Sequence, residues 1–224
     1  MQSYKSFEVI IINDGSTDNS RSIIEEFINE DDRFKLINQE NKGLGYSRNR
    51  GIKESRGKYL FFVDADDYIP KDSLKILYSA IQERNVDYAV GKVIRFNNTR
   101  RFLPVRHKEF RLYNKNIVSN LRDKPELLQD SIACNKLWKR QFIEKNNLFF
   151  AEGKLYEDLR MTLKAAVLAK NIAITKEIVY WWRVRQDSDL PSITQRNMEL
   201  RNTLDRISAL EDNMIWLESS KDAT

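Results

Sequence analysis

Three carboxylates crowd into four positions of the stretch YLFFVDADDY (59–68): Asp64, Asp66 and Asp67. They end an apolar run, Tyr59 to Val63, of the kind built for burial. An unpaired carboxylate is costly to bury, so these oxygens belong at a rim that water, a cation or a donor can reach. Asp64 and Asp66 have the Asp-x-Asp spacing, which offers oxygen-only ligands to a hard cation such as Mg²⁺ or Mn²⁺. Such a cation would screen the two charges from each other and stabilise a diphosphate leaving group. The blander reading is a polar turn in which Asp67 caps the segment after it.

Three other places carry chemistry of the same kind. Asp14, in NDGSTDNS, can accept hydrogen bonds from a base or ribose, or simply open the next helix through an Asx turn. Arg48, in YSRNRG, can stack on a base or pair with phosphate, or it can lie on a helix surface. Glu157 and Asp158 of YEDLR, taken alone, read as acids favoured near a helix start. Gly43 and Gly45 do not complete a dinucleotide-binding fingerprint, because position 48 is Arg.

The elements that must position these residues alternate. FEVIII (7–12) reads as a strand covered on both faces, with a helix after it on Ile23, Ile24, Phe27 and Ile28. Further strands are expected at 33–38, 58–63 and 87–96, with a short helix from the glycine loop 41–51 and another on Leu74, Leu77 and Ile81. That order predicts an α/β fold with a mainly parallel sheet flanked by helices. Ligands bind at the carboxyl ends of such strands, so the ends at Asp14 and at Asp64–Asp66 are expected to line one crevice. Beyond residue 96 the pattern loosens: a strand or loop at 132–138, a helix at 155–169, strand-like alternation at 171–185. A stripe of Leu200, Leu204, Ile207, Leu210, Met214 and Leu217 ends the chain, packing on its own domain or docking a partner. The expected division is 1–95 and 96–190 as two halves of one domain, and 191–224 as a C-terminal helix.

At 224 residues, 41% of them hydrophobic, the chain can bury a sizeable core. One cysteine, Cys134, excludes an intrachain disulfide and fits a reducing compartment. The one histidine, His107, lies in the surface-like context VRHKEF and is expected to do nothing specific. Lys and Arg number 38 against 33 acids, interleaved, and the basic run 97–108 reads as a solvated loop. No aromatic-basic platform suggests nucleic acid, and no run of ~20 apolar residues suggests a membrane span.

FEVIIINDGSTDNS, NKGLGYSRNRGIKESRGKYLFFVDADD and YEDLR together resemble the inverting family 2 glycosyltransferases of the GT-A fold. The likeness is close over 4–95 and looser over 130–190. It implies a sugar moved from a nucleoside diphosphate donor, commonly a uridine one, to a hydroxyl on a glycan, polyol-phosphate or lipid-linked acceptor. It implies nucleobase contact by Asp14, nucleotide contact by Arg48, ribose or metal contact by Asp64, and Asp66 as principal ligand of Mn²⁺ or Mg²⁺. Asp158 would be the base, supported by Glu157, and Arg183 or Arg185 would reach the diphosphate from WWRVRQDSDLPSI (181–193). NKLWKR (135–140) resembles an acceptor-side segment, with Lys136 there or merely on the surface. The expected setting is bacterial cell-surface polymer synthesis in the cytoplasm, with room for association at the inner face of the membrane.

The resemblance also implies a strand and helix ahead of FEVIII, and MQSYKSFEV resembles the tail of that helix. The chain therefore reads as N-terminally truncated, and self-association through an exposed strand edge is expected. Two other classes compete. One is a non-catalytic nucleotide-sugar-binding module, separated from an enzyme by turnover. The other is an Asp-x-Asp phosphatase, poorly matched because its aspartates should come after the first strand.

Overall fold

The computed structural model describes residues 2–84, 86–185, 196 and 198–220. The apolar run at the start becomes strand β1, Val9–Asp14, joined by helix α1, Ser20–Glu30, to a parallel neighbour β2, Phe34–Gln39. In this βαβ unit Ile11 lies opposite Leu36 and Asp14 opposite Gln39. Helix α2, Leu44–Glu54, then leads to a short strand β3, Tyr59–Phe61. β1 is less covered than its composition predicts. Val9 to Ile12 are half-buried, because a deep crevice opens along them.

The second sheet is built from β3 and five later strands. Helix α3, Ser73–Arg84, is followed by β4, Tyr88–Phe96, a two-residue β5, Arg101–Phe102, helix α4, Val105–Glu109, and β6, Ile117–Ser119. A 3₁₀ turn at Pro125–Gln129 precedes β7, Lys136–Lys139, and helix α5, Arg140–Lys145. Helix α6, Glu157–Leu168, strand β8, Ile172–Arg183, and helix α7, Leu200–Ser219, complete the order. The strands lie β3-β7-β4-β8-β6, with β5 on β4. β4 and β8 are parallel, but β7 runs against both β3 and β4, and β6 runs against β8. The sheet is thus mixed. The parallel pairs are β1–β2 in the first sheet and β4–β8 in the second, where β7 enters antiparallel between β3 and β4.

The core lies on both faces of this sheet. One side gathers Tyr88, Trp138, Ile143, Leu148 and Met161, and the other gathers Leu77, Ile81, Val93, Val179 and Tyr180. Burying one such side chain is worth about 1.5–3 kcal/mol, so β4, β7 and β8 are firmly held. Residues from both sides of position 95 interleave in one sheet.

Two surface expectations change. The run 97–108 is not a plain solvated loop: it holds β5 and α4. His107 is buried, with Nε2 3.2 Å from Asp130 Oδ1. A single apolar neighbour pattern could not reveal this, because the partner lies 23 residues away. The C-terminal stripe also does not pack inward. α7 rests on α6 through Asn202, Ala209 and Asn213, and leaves Leu200, Leu204, Ile207, Leu210 and Met214 exposed.

Candidate active site

The carboxyl end of β3 delivers Asp64, Asp66 and Asp67 to the rim of a crevice of about 1880 Å³. Asn13 and Ser16 at the end of β1 line the same crevice, as do Arg48, Glu157, Asp158 and Arg185. Asp14 does not. Its Oδ1 accepts from Gln39 Nε2 at 2.7 Å and Lys42 N at 2.8 Å, and its Oδ2 from Gly43 N at 2.8 Å. Burial resists the charge, but these donors outweigh it and hold the carboxyl below the usual range. Asp14 therefore braces the loop that starts α2, where Gly43 at φ +86° permits a turn disfavoured for other residues.

α2 projects Arg48 into the protein, 8% exposed. One guanidinium nitrogen, Nη1, meets Glu157, while Nη2 donates to Asp64 Oδ1 at 2.6 Å and to Cys134 Sγ at 3.5 Å. The Phe150 ring lies under it, 5.2 Å from its centre. Burial works against this charge, and the surrounding Asp64, Glu157 and Asp158 overcome that and raise the pKa. Close approach of α2 to the segment before α6 depends on Gly45, where a Cβ would fall 2.0 Å from Ala151 O. Arg48 thus ties the end of β3 to the start of α6.

Glu157 and Asp158 occupy the first turn of α6, where the helix dipole favours negative charge. Their roles diverge. Glu157 is buried and spent on Arg48, with burial raising its pKa against that partner. The Asp158 carboxylate, among the described residues, accepts no hydrogen bond, and it faces the crevice. Burial, and then the charge of Glu157, push its pKa up to about 7, with Arg48 pulling only partly the other way. A carboxylate poised near neutrality and facing open space is suited to take a proton.

The last residues of β8 close the rim from the other side. Tyr180 Oη donates to Asp67 Oδ2 at 2.8 Å and accepts from Asp64 N at 3.1 Å. Asp67 Oδ1 also accepts from Arg183 N at 2.7 Å, yet burial carries its pKa up to about 6. Arg185 Nε and Nη2 lie 2.9 and 2.6 Å from Asp66 Oδ2, while Arg183 Nε donates to Asp66 O at 2.7 Å. Of the two arginines, Arg185 lines the crevice. Trp182 lines it too, whereas Trp181 stacks on Tyr68 with ring centres 5.9 Å apart. Residues 186–193 of the basic segment lie outside the described residues.

Asp64 and Asp66 are about one-third exposed, and the Asp66 carboxylate already receives a cationic group from Arg185. Two such hard oxygen donors fit a divalent ion that takes its remaining ligands from phosphate and water. Among the described residues no cluster of three ligating side chains gathers, so a protein cage is not what they offer. Lys136 is not on the surface: it is 3% exposed and its ammonium lies 2.9 Å from Asp130 Oδ2. Cys134, Tyr180 and Phe150 belong to the site without any signal in the sequence. Each reaches it from a different element, and no local spacing links them.

The sequence profile described as Glycosyl transferase family 2 matches residues 1–146. The chain is 36% identical over 194 residues to glycosyltransferase GlyA of Streptococcus pneumoniae serotype 4, covering 84% of this chain and 28% of that protein. It is 26% identical over 188 residues to the Staphylococcus aureus poly(ribitol-phosphate) beta-N-acetylglucosaminyltransferase TarS, covering 82% of this chain and 31% of that one. The crystal structure of S. aureus TarS 1–349 in complex with UDP-GlcNAc superposes with a TM-score of 0.73 at 22% identity, over 98% of this chain and 66% of that one. The mannosyltransferase PcManGT from Pyrobaculum calidifontis, in complex with GDP-Man and Mn²⁺, superposes with a TM-score of 0.65 at 16% identity, over 96% and 57%. This chain thus spans about a third or less of these two curated relatives, and the solved structures show that it has the GT-A glycosyltransferase fold.

Proposed function

The chain belongs to glycosyl transferase family 2, and from that premise we propose that it transfers a sugar, with inversion, from a nucleoside diphosphate donor to an acceptor hydroxyl. The observation that carries the proposal is the Asp158 carboxylate, open to the crevice and raised to about pH 7 beside a rim of aspartates. In the single displacement, Asp158 removes the acceptor proton as the oxygen attacks the anomeric carbon. The bond to the diphosphate breaks on the opposite face. Arg48 fixes Glu157 and Asp64, and Glu157 in turn keeps Asp158 from ionising too early.

Asp66 and Asp64 would hold Mn²⁺ or Mg²⁺, which when bound neutralises charge on the departing diphosphate. Arg185, already at Asp66, is the arginine positioned to meet the diphosphate, and Arg183 steadies the turn beneath it. Uridine as the base is supported by the UDP-GlcNAc in the TarS structure, and a divalent ion by the Mn²⁺ in PcManGT. A polyol-phosphate or glycan acceptor in cell-surface polymer synthesis is supported by the poly(ribitol-phosphate) activity of TarS. Among the described residues no helix is long and apolar enough to cross a membrane.

The test is a donor screen with Mn²⁺, reading nucleoside diphosphate release with acceptor present. Asp158→Asn should keep donor binding and lose transfer by roughly 10²–10⁴-fold. Equal transfer by that variant would move the base elsewhere. Donor binding without release in the unaltered chain would instead favour a binding module.

A further inference from the structure

The exposed stripe of α7 has an order that a solvent-facing helix does not require. Leu200, Thr203, Ile207, Leu210, Met214 and Leu217 alternate three and four apart, the a and d positions of three consecutive heptads. The helix spends a different face on its own domain. Asn202, Ala209 and Asn213 are buried there, while Asp205 accepts from Leu155 N at 3.1 Å and Asp212 lies 3.7 Å from Lys154 Nζ. Against water stand Leu200 at 74%, Met214 at 60% and Leu204 at 54% exposed.

The charges left over are sorted by position. With Asp205 and Asp212 engaged by the domain, the first half of the helix carries Arg201 and Arg206, and the second half carries Glu211 and Glu218. Among the described residues these four form no ion pair. A parallel partner of identical sequence would set like charges together; an antiparallel one sets the arginines of each helix beside the glutamates of the other. The antiparallel arrangement also matches the heptad, since Leu200 then faces Leu217, Thr203 faces Met214 and Ile207 faces Leu210 across a two-fold axis. A membrane surface fits less well, because helices that lie in it are rich in Lys and Arg, and this one carries four acids against two arginines.

We propose that the α7 stripe is a self-complementary docking surface for a second copy of this chain, the two helices packing antiparallel along their a/d seam. A helix pair of 20 residues is only about 30 Å long, so the dimer belongs to the weak, concentration-dependent class.

The experiment is sedimentation of the 224-residue chain from 1 to 200 μM, with two charge-reversed variants. Arg201→Glu/Arg206→Glu and Glu211→Lys/Glu218→Lys alter exposed side chains remote from the crevice. Each alone should weaken self-association roughly tenfold or more. Mixing the two at equal concentration should restore a heterodimer, because the charges not engaged by the domain are then all acidic on one helix and all basic on the other. Self-association through a strand edge would be blind to all three changes, and that result overturns the proposal. A monomer at every concentration overturns it too, as does binding of α7 to anionic vesicles that survives in place of pairing.

Discussion

Asp130 and Asp158 belong to two charge clusters of the same domain, built to opposite effect. Around Asp130, Lys136 Nζ lies at 2.9 Å, Asn135 Nδ2 at 2.9 Å and His107 Nε2 at 3.2 Å, and Tyr113 Oη completes the set. Burial resists ionisation there, but Lys136 and His107 overwhelm it and hold the carboxyl well below the usual range. Around Asp158 no donor is supplied among the described residues, a second acid stands beside it, and Arg48 is already shared by Glu157 and Asp64. Its pKa moves up instead, to about 7. A satisfied acid is a fastening. An acid left short of partners keeps its basicity for a substrate.

The largest effect should come from breaking the fastening. Lys136→Met would leave Asp130 buried without its main counter-charge, a change that costs about 3–5 kcal/mol in comparable sites. Urea unfolding of the variant at pH 7 should show that loss as a shifted midpoint with an unchanged slope. A loss below about 1 kcal/mol would mean that His107, Tyr113 and Asn135 suffice, and the contrast between the clusters would fail.

Arg48→Met attacks the other cluster and should behave differently with pH. Removing the guanidinium strands Glu157 against Asp64, at a cost of roughly 2–4 kcal/mol at pH 8. Glu157, its pKa already raised by burial, can take up a proton in acid and so relieve the repulsion. The penalty should shrink between pH 8 and pH 5. A penalty equal at both values would show that Arg48 matters by packing on Phe150 rather than by charge.

How much of this contrast is legible in the sequence depends on the distance between partners in the chain. The βαβ start, α3, β4, α6 and the rim at Asp64–Asp67 can be read from local periodicity and from carboxylates ending an apolar run. The antiparallel entry of β7 cannot, because its partners, Tyr59–Phe61 and Tyr88–Val90, lie far from it in sequence. His107 looks like a surface residue for the same reason: its burial is set by Asp130 and not by VRHKEF. Asp14 and Arg48 are legible as polar groups beside a turn and a glycine loop. That their hydrogen-bonding atoms serve the loop at 42–43 and the acids at 64 and 157 is a property of the assembled fold.

A smaller effect separates the ionisation of Asp158 from its chemistry. Its folded pKa is raised, so the folded state binds more protons than the unfolded chain between about pH 4 and pH 7. The stabilisation is complete below the unfolded value and is lost as pH rises through 7. Asp158→Asn cannot ionise and escapes that loss. Melting temperatures of the two proteins should coincide near pH 4, and the variant should melt higher by pH 8. A variant that is less stable at pH 8 would place a hidden partner on Asp158. It would join Asp130 as a fastening, and its candidacy as the base would end.

The smallest effect tests whether Asp66 sits between the two regimes. Its carboxylate is one-third exposed and holds Arg185 at 2.6 Å, an ion pair in partial solvent contact that is worth little by itself. A divalent ion and the Arg185 guanidinium compete for Oδ2, so a cation entering there must first displace the arginine. Arg185→Gln should therefore lower the Mn²⁺ concentration needed for half-saturation by up to about fivefold, read by electron paramagnetic resonance with no nucleotide present. Arg183→Gln is the control. Its guanidinium bonds the backbone oxygen of Asp66 and not the carboxylate, so metal affinity should hardly move. If Arg185→Gln instead weakened Mn²⁺ binding, the arginine would be organising Asp66 for the metal rather than occupying its place. If neither variant had any effect, Asp66 would not be a ligand, and the rim at 64–67 would carry charge for some purpose other than holding a cation.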